Sequence, residues 1–223
     1  MKVVLVTGAS GGLGYPLCEA LLEKGYFVIL HGFKHMEKLE DLHQRYLNSS
    51  LYIEANLKDE EEVLKIKGFL KEKGLSLTGL INNAAIDHVS DVELKNAESF
   101  IEVFRLNTIA PFLLMKIFGK EIEMNKGFIL NISSDNTIDQ FDPRTMEYDV
   151  SKAGLNLLTQ EFALLYPNAC VNAILFGWLD TPMNDIPDDV KKWLVFVPLE
   201  KAVDTIIKCI EEKETGKLEM IRS

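Results

Sequence analysis

Seven short apolar runs, each set off from the next by a stretch of helical period, limit what this chain can fold into. "KVVLVT" (Lys2 to Thr7) comes first and reads as a buried strand by its β-branched content. "YFVIL" (Tyr26 to Leu30), "LYIEA" (Leu51 to Ala55), "GLINNA" from Gly79, "GFILNIS" (Gly127 to Ser133), "CVNAIL" from Cys170 and "KLEMI" near the end follow in turn. Helical segments fill the gaps. Leu13, Leu17, Ala20 and Leu21 mark the first, which accommodates Pro16 in its opening turn and stops at Gly25. A polar helix lies around Met36 to Tyr46, and Val63, Ile66, Phe69 and Leu70 mark another. A long helix covers Ala97 to Met124 with a bend at Pro111, and two more cover Thr145 to Tyr166 and Ala202 to Glu212. Strands alternating with helices pair in parallel through crossovers. The expectation is an α/β fold: one doubly wound parallel sheet of about seven strands, helices on both faces, as a single domain over residues 1–223.

Composition narrows the partners. The net charge is -10 and the pI about 5.0, so no basic footprint for nucleic acid or an anionic membrane is expected. No apolar run approaches a membrane span or a signal peptide, and Cys18, Cys170 and Cys209 are scattered without a CxxC pattern. A cytoplasmic protein is expected. His31 and His35 have no third ligand near them in sequence, so no metal site is expected.

In doubly wound sheets, ligands bind beyond the carboxyl ends of the strands. The polar residues that stand out all fall there: Thr7 to Gly14, Asn82 to Ala85, Ser133 to Asp135 and Phe176 to Thr181. "TGASGGLG" joins the first strand to the first helix. Gly8 permits its tight turn, while Gly12 and Gly14 permit close approach of backbone, and the free N–H groups of the helix start favour a pyrophosphate. A tight βα turn alone would also explain the glycines. "EYDVSKAG" places Tyr148 and Lys152 four residues apart, on one face of a helix. A solvated Tyr/Lys pair is the bland alternative. The chemical one is an ammonium that lowers the phenol's pKa, where ~2 units takes about 2.7 kcal/mol, within reach of one desolvated cation.

Taken in order, Gly8, Gly12 and Gly14, then "NNAA", "NISS", "YDVSK" and "VNAILFGWLDTPM" resemble the short-chain dehydrogenase/reductase family over nearly the whole chain. The resemblance implies a Rossmann-type sheet and hydride transfer between NADP(H) or NAD(H) and a small carbonyl or alcohol compound. By position it implies Tyr148 as general acid/base, Lys152 as its partner, Ser134 on the substrate oxygen and Asn107 in a proton relay. It implies dinucleotide contacts from Gly8, Ser10, Gly12, Leu13, Gly14, Lys34, Asn56, Leu57, Asn83, Ala84, Tyr148, Lys152, Gly177, Leu179 and Thr181. It also implies a homodimer or homotetramer.

The chain departs from the pattern in places. Ala85 stands where NNAG has glycine, Asn56 where an aspartate is usual, and Phe176 where a proline precedes Gly177. The segment 184–198 is short for a substrate loop. No Asp or Glu occurs from Tyr26 to Met36, while Lys34 and His35 lie just past the second strand, which favours NADP(H) over NAD(H). Asp135, Phe141, Trp178 and Met183, with Met146, Trp193 and Phe196, are expected around the substrate and suggest an apolar or aromatic carbonyl compound. A 3-oxoacyl carrier-protein thioester is the alternative substrate. A catalytically silent NADP(H)-binding sensor or scaffold is the alternative function.

Overall fold

The computed structural model describes residues 1–183, 192–212 and 214–223. Its strands are β1 (Val3–Val6), β2 (Phe27–Gly32), β3 (Ser50–Glu54), β4 (Gly79–Asn82), β5 (Phe128–Ser134), β6 (Cys170–Phe176) and β7 (Leu218–Ile221). Its α-helices are α1 (Gly14–Glu23), α2 (Met36–Arg45), α3 (Glu60–Glu72), α4 (Ala97–Phe104), α5 (Ala110–Met124), α6 (Met146–Leu165) and α7 (Leu199–Glu211). All strand pairs are parallel, in one sheet ordered β3-β2-β1-β4-β5-β6-β7. The order reverses between β1 and β4, and that reversal opens a crevice at their carboxyl ends.

Strand alternation builds two cores. Along β1, Val4 and Val6 face one layer with Leu17 and Leu21 of α1, Leu39 and Leu42 of α2 and Ile206 of α7. Val3 and Leu5 face the other, with Val63 and Ile66 of α3, Leu114 and Phe118 of α5 and Phe162 of α6. Burying a Leu or Ile side chain of this kind stabilises by about 1.5–3 kcal/mol. Both faces being covered explains why the strands read as near-continuous apolar runs.

Some details differ from expectation. β2 runs two residues past Leu30, to Gly32, and α7 starts at Leu199 rather than Ala202. The long helix does not bend at Pro111 itself. It passes through a π-helical segment, Arg105–Ile109, before α5 begins. Proline has no N–H for the carbonyl one turn back, at Asn107, and its ring would clash there in a regular helix. The widened turn relieves both. The first part of the segment read as a short substrate loop, 184–191, lies outside the described residues. Among the described residues, no helix is long and apolar enough to cross a membrane.

Candidate active site

The exits of β1 and β4 are locked together. The Thr7 hydroxyl oxygen accepts from the backbone N–H groups of Asn83 (2.9 Å) and Ala84 (3.0 Å). The Asn83 carboxamide donates back to the carbonyls of Thr7 (2.9 Å) and Gly8 (3.1 Å). Gly8 takes the left-handed region at φ 64, where a side chain would be strained. A Cβ on Gly14 would stand 2.1 Å from the Gly8 carbonyl oxygen, so α1 can start this close to β1 only with glycine there.

The exit of β5 and the first turns of α6 carry the acid–base groups. The Tyr148 phenol and the Ser134 hydroxyl line the same cleft, close enough for Ser134 to favour the ionised phenol. Ser134 in turn accepts from the Asn136 N–H at 3.2 Å. Lys152, 2% exposed, donates from Nζ to the Ile132 carbonyl at 2.7 Å and lies 5.5 Å from the centre of the Tyr148 ring. A buried ion pair, Lys95 with Glu147, holds the start of α6 beside the loop after β4; Ser99 donates to the same carboxylate at 3.0 Å.

The electrostatics correct one expectation. Burial, and next the charge of Asp87, push the Tyr148 phenol above its ordinary value, and the nearby Ser134 hydroxyl only partly opposes them. Burial also lowers Lys152 to about 7. Lys152 does not bring the phenol down, because desolvation acts on both partners and the lysine is itself losing its charge near neutrality. Asp87 is raised to about 6, first by burial and then, against the opposing His88 N–H, by Asp149. Its Oδ1 is enclosed without a hydrogen-bond partner.

These strand exits line one cleft of about 1020 Å³. Gly8, Ser10, Gly12, Leu13, Gly14, Asn83, Ala84, Ser134, Asp135, Tyr148, Lys152, Gly177, Trp178, Leu179, Thr181 and Met183 all reach it. Ala85 does too, its methyl accommodated. Others do not. Asn107 stands behind the cleft, fully buried, its carboxamide bonded to both polar backbone groups of Ile86 (2.9 Å each) and to Ser151 (3.1 Å). Asn56 is used locally, its side-chain oxygen accepting from the Lys58 N–H at 3.2 Å, and Leu57 is buried in the core under α3. Lys34 meets the glycine turn only through its carbonyl, 3.4 Å from the Ser10 hydroxyl. The cleft at that end is lined instead by His35, Glu37, Lys38 and Asp41. Phe141 is 71% exposed, on a segment carried outward between two 3-10 turns, and Met146, Trp193 and Phe196 also lie outside the lining.

Asp87 and Arg222 were missed in sequence. Asp87 lies two residues past "NNAA", a signal that could have found it. Arg222 reaches Asp135 at 2.9 Å and also bonds Asp139, contacts 87 and 83 residues apart in sequence that leave no local trace. The cleft suits a nicotinamide dinucleotide. Its volume is sufficient, its floor is a turn with glycines at 8, 11, 12 and 14 that let backbone come close, and the Ser133 hydroxyl lining it is buried with no partner.

Comparison with known proteins agrees with this geometry. The profile of the short chain dehydrogenase family matches residues 2–190. The chain is 30% identical over 216 residues to an acetoacetyl-CoA reductase of Acinetobacter sp. (strain RA3849), covering 90% of this chain and 84% of that protein. It is 30% identical over 213 residues to a 7alpha-hydroxysteroid dehydrogenase of Paraclostridium sordellii, covering 90% and 79%. A solved structure of a 4-hydroxyisoleucine dehydrogenase complexed with NADH shares the fold, with a TM-score of 0.91 at 24% identity over 99% of this chain and 97% of that one.

Proposed function

The chain belongs to the short chain dehydrogenase family and is an NAD(P)-dependent oxidoreductase acting on CH–OH or C=O groups, and from that premise we propose that it reduces a carbonyl compound with NADP(H), Tyr148 giving the proton. The observation that carries this reading is that Ser134, Tyr148 and Lys152 line the same cleft as the glycine turn. When bound, the dinucleotide supplies the hydride in reduction and accepts it in oxidation. Ser134 holds the substrate oxygen by a hydrogen bond, and the Tyr148 hydroxyl donates its proton to that oxygen. Burial and Asp87 keep the phenol protonated, which favours the reductive direction. Lys152 lies against the ring, held there by its hydrogen bond to the Ile132 carbonyl.

Lys38 on α2, in the cleft lining beside the exit of β2, supports NADP(H) through attraction to a 2′-phosphate, set against Glu37 and Asp41 on the same helix. Trp178 and Met183 support a substrate with an apolar body. The acetoacetyl-CoA reductase relative favours a 3-oxoacyl thioester as the second reading. Exposed Ile109, Phe112, Val150 and Leu157, from the π segment, α5 and α6, support association with a second copy.

The test is a panel of ketones, aldehydes and 3-oxoacyl thioesters run with NADPH and NADH side by side, following loss of absorbance. Turnover faster with NADPH is expected, and Tyr148→Phe slows it by about a thousandfold. Dinucleotide binding without turnover of any member of the panel would favour a silent sensor instead.

A further inference from the structure

His31 is 2% exposed, on a strand whose other inward residues are apolar, and the reaction does not use it. Its ring spans two strand exits. Nε2 lies 2.9 Å from the Ala55 carbonyl, and the Gly8 N–H points at Nδ1 at 3.3 Å. A carbonyl can only accept, so Nε2 carries the proton and Nδ1 is left as the acceptor for Gly8. The imidazole is therefore neutral, with both nitrogens satisfied. Burial, which lowers its pKa to about 4 against the opposing Ala55 hydrogen bond, keeps it so. The His31 carbonyl also accepts from Ala9 at 2.8 Å, so this one residue grips two successive peptides of the glycine turn.

We propose that His31 is a positioning residue for the dinucleotide: a strut that fixes the peptide of Gly8 in its left-handed turn and sets its distance from the end of β3. The inference rests on the reading of the cleft as a dinucleotide site. Gly8 begins the turn that approaches the pyrophosphate, and Ala55 directly follows β3 at the same end of the sheet. Without the imidazole, the Gly8 N–H and the Ala55 carbonyl lose their partner together, and the turn loses the contact that orients it. Asn83 braces the turn from β4, and His31 braces it from the opposite side, β2. The turn is thus held between its two neighbouring strands.

The experiment compares NADPH and NADH dissociation constants for wild type, His31→Phe and His31→Gln, read from quenching of Trp178 fluorescence, alongside urea midpoints. His31→Phe keeps the ring's bulk and removes both hydrogen bonds. It is expected to weaken dinucleotide binding by about tenfold, with less than about a twofold change in the KM for the carbonyl compound. His31→Gln, which retains one donor and one acceptor, recovers part of the loss. A folded His31→Phe that binds dinucleotide as wild type does would overturn the proposal. Should His31→Phe fail to fold, His31→Gln and the ring-15N spectrum of wild-type His31 decide. A spectrum with the proton on Nδ1, or on both nitrogens, at neutral pH would also overturn it. Wild type that binds neither dinucleotide would sink the reading of the cleft and this inference with it, whereas equal binding by wild type and variant sinks only the strut.

Discussion

The two halves of the cleft are built on opposite principles. In the half formed by the exits of β1, β2 and β4, Thr7 and Asn83 satisfy each other and His31 is satisfied by the Gly8 N–H and the Ala55 carbonyl, with the geometry set by backbone contact at Gly8 and Gly14. In the half formed by the exits of β4 and β5 and the start of α6, Ser133 and Asp87 keep enclosed atoms without partners. There, burial also moves Tyr148 and Lys152 in opposite directions. A prebuilt cradle costs little reorganisation when a large ligand enters it. Groups held away from their ordinary ionisation states are what acid–base chemistry requires. The contrast separates binding from reaction within one cleft.

Gly14→Ala would break the contrast most strongly. The added Cβ meets backbone rather than a flexible side chain, at 2.1 Å, so the turn must shift. Dinucleotide affinity is expected to fall by about a hundredfold, equivalent to about 3 kcal/mol, with no change in the Tyr148 pKa, by titration calorimetry and ultraviolet titration. Lys152→Met probes the other half through stability. The folded lysine ionises at about 7 and the unfolded one at ~10.4, so between those values the unfolded chain holds the extra proton and wild type gains stability as pH rises. Urea unfolding at several pH values is expected to show that gain in wild type and a flatter profile in the variant. Asp87→Asn removes a charge that raises the phenol, so the pKa of the group governing kcat/KM moves down while dinucleotide affinity stays within about twofold. The same change adds stability above pH 6, because the raised Asp87 pKa disfavours the folded state there. Arg222→Ala gives the smallest effect. The arginine is substantially exposed, so loosening Asp135 should raise the substrate KM by about threefold and leave kcat unchanged.

What was legible in the sequence follows the same division. The alternation of strands and helices, the glycine turn and the Tyr148/Lys152 face are encoded in local spacing, and they sit where spacing puts them. Lys34, Asn56, Leu57 and Phe141 share those neighbourhoods, but short turns direct their side chains away from the cleft. The direction of the Tyr148 shift is not legible in the sequence, because a helical interval reports proximity to Lys152 and says nothing of how dry the site is. The π segment needed the clash between Pro111 and the turn holding Asn107, and the roles of His31 and Arg222 needed partners on distant strands.

The most direct test of the account is an ultraviolet difference titration of wild type against Tyr148→Phe, which isolates the one phenol. The account predicts that Tyr148 ionises above the ordinary tyrosine value of ~10, so that it enters catalysis carrying its proton. A phenolate forming below about pH 8 in the protein alone would contradict it, and would restore Lys152 as the dominant influence on that oxygen.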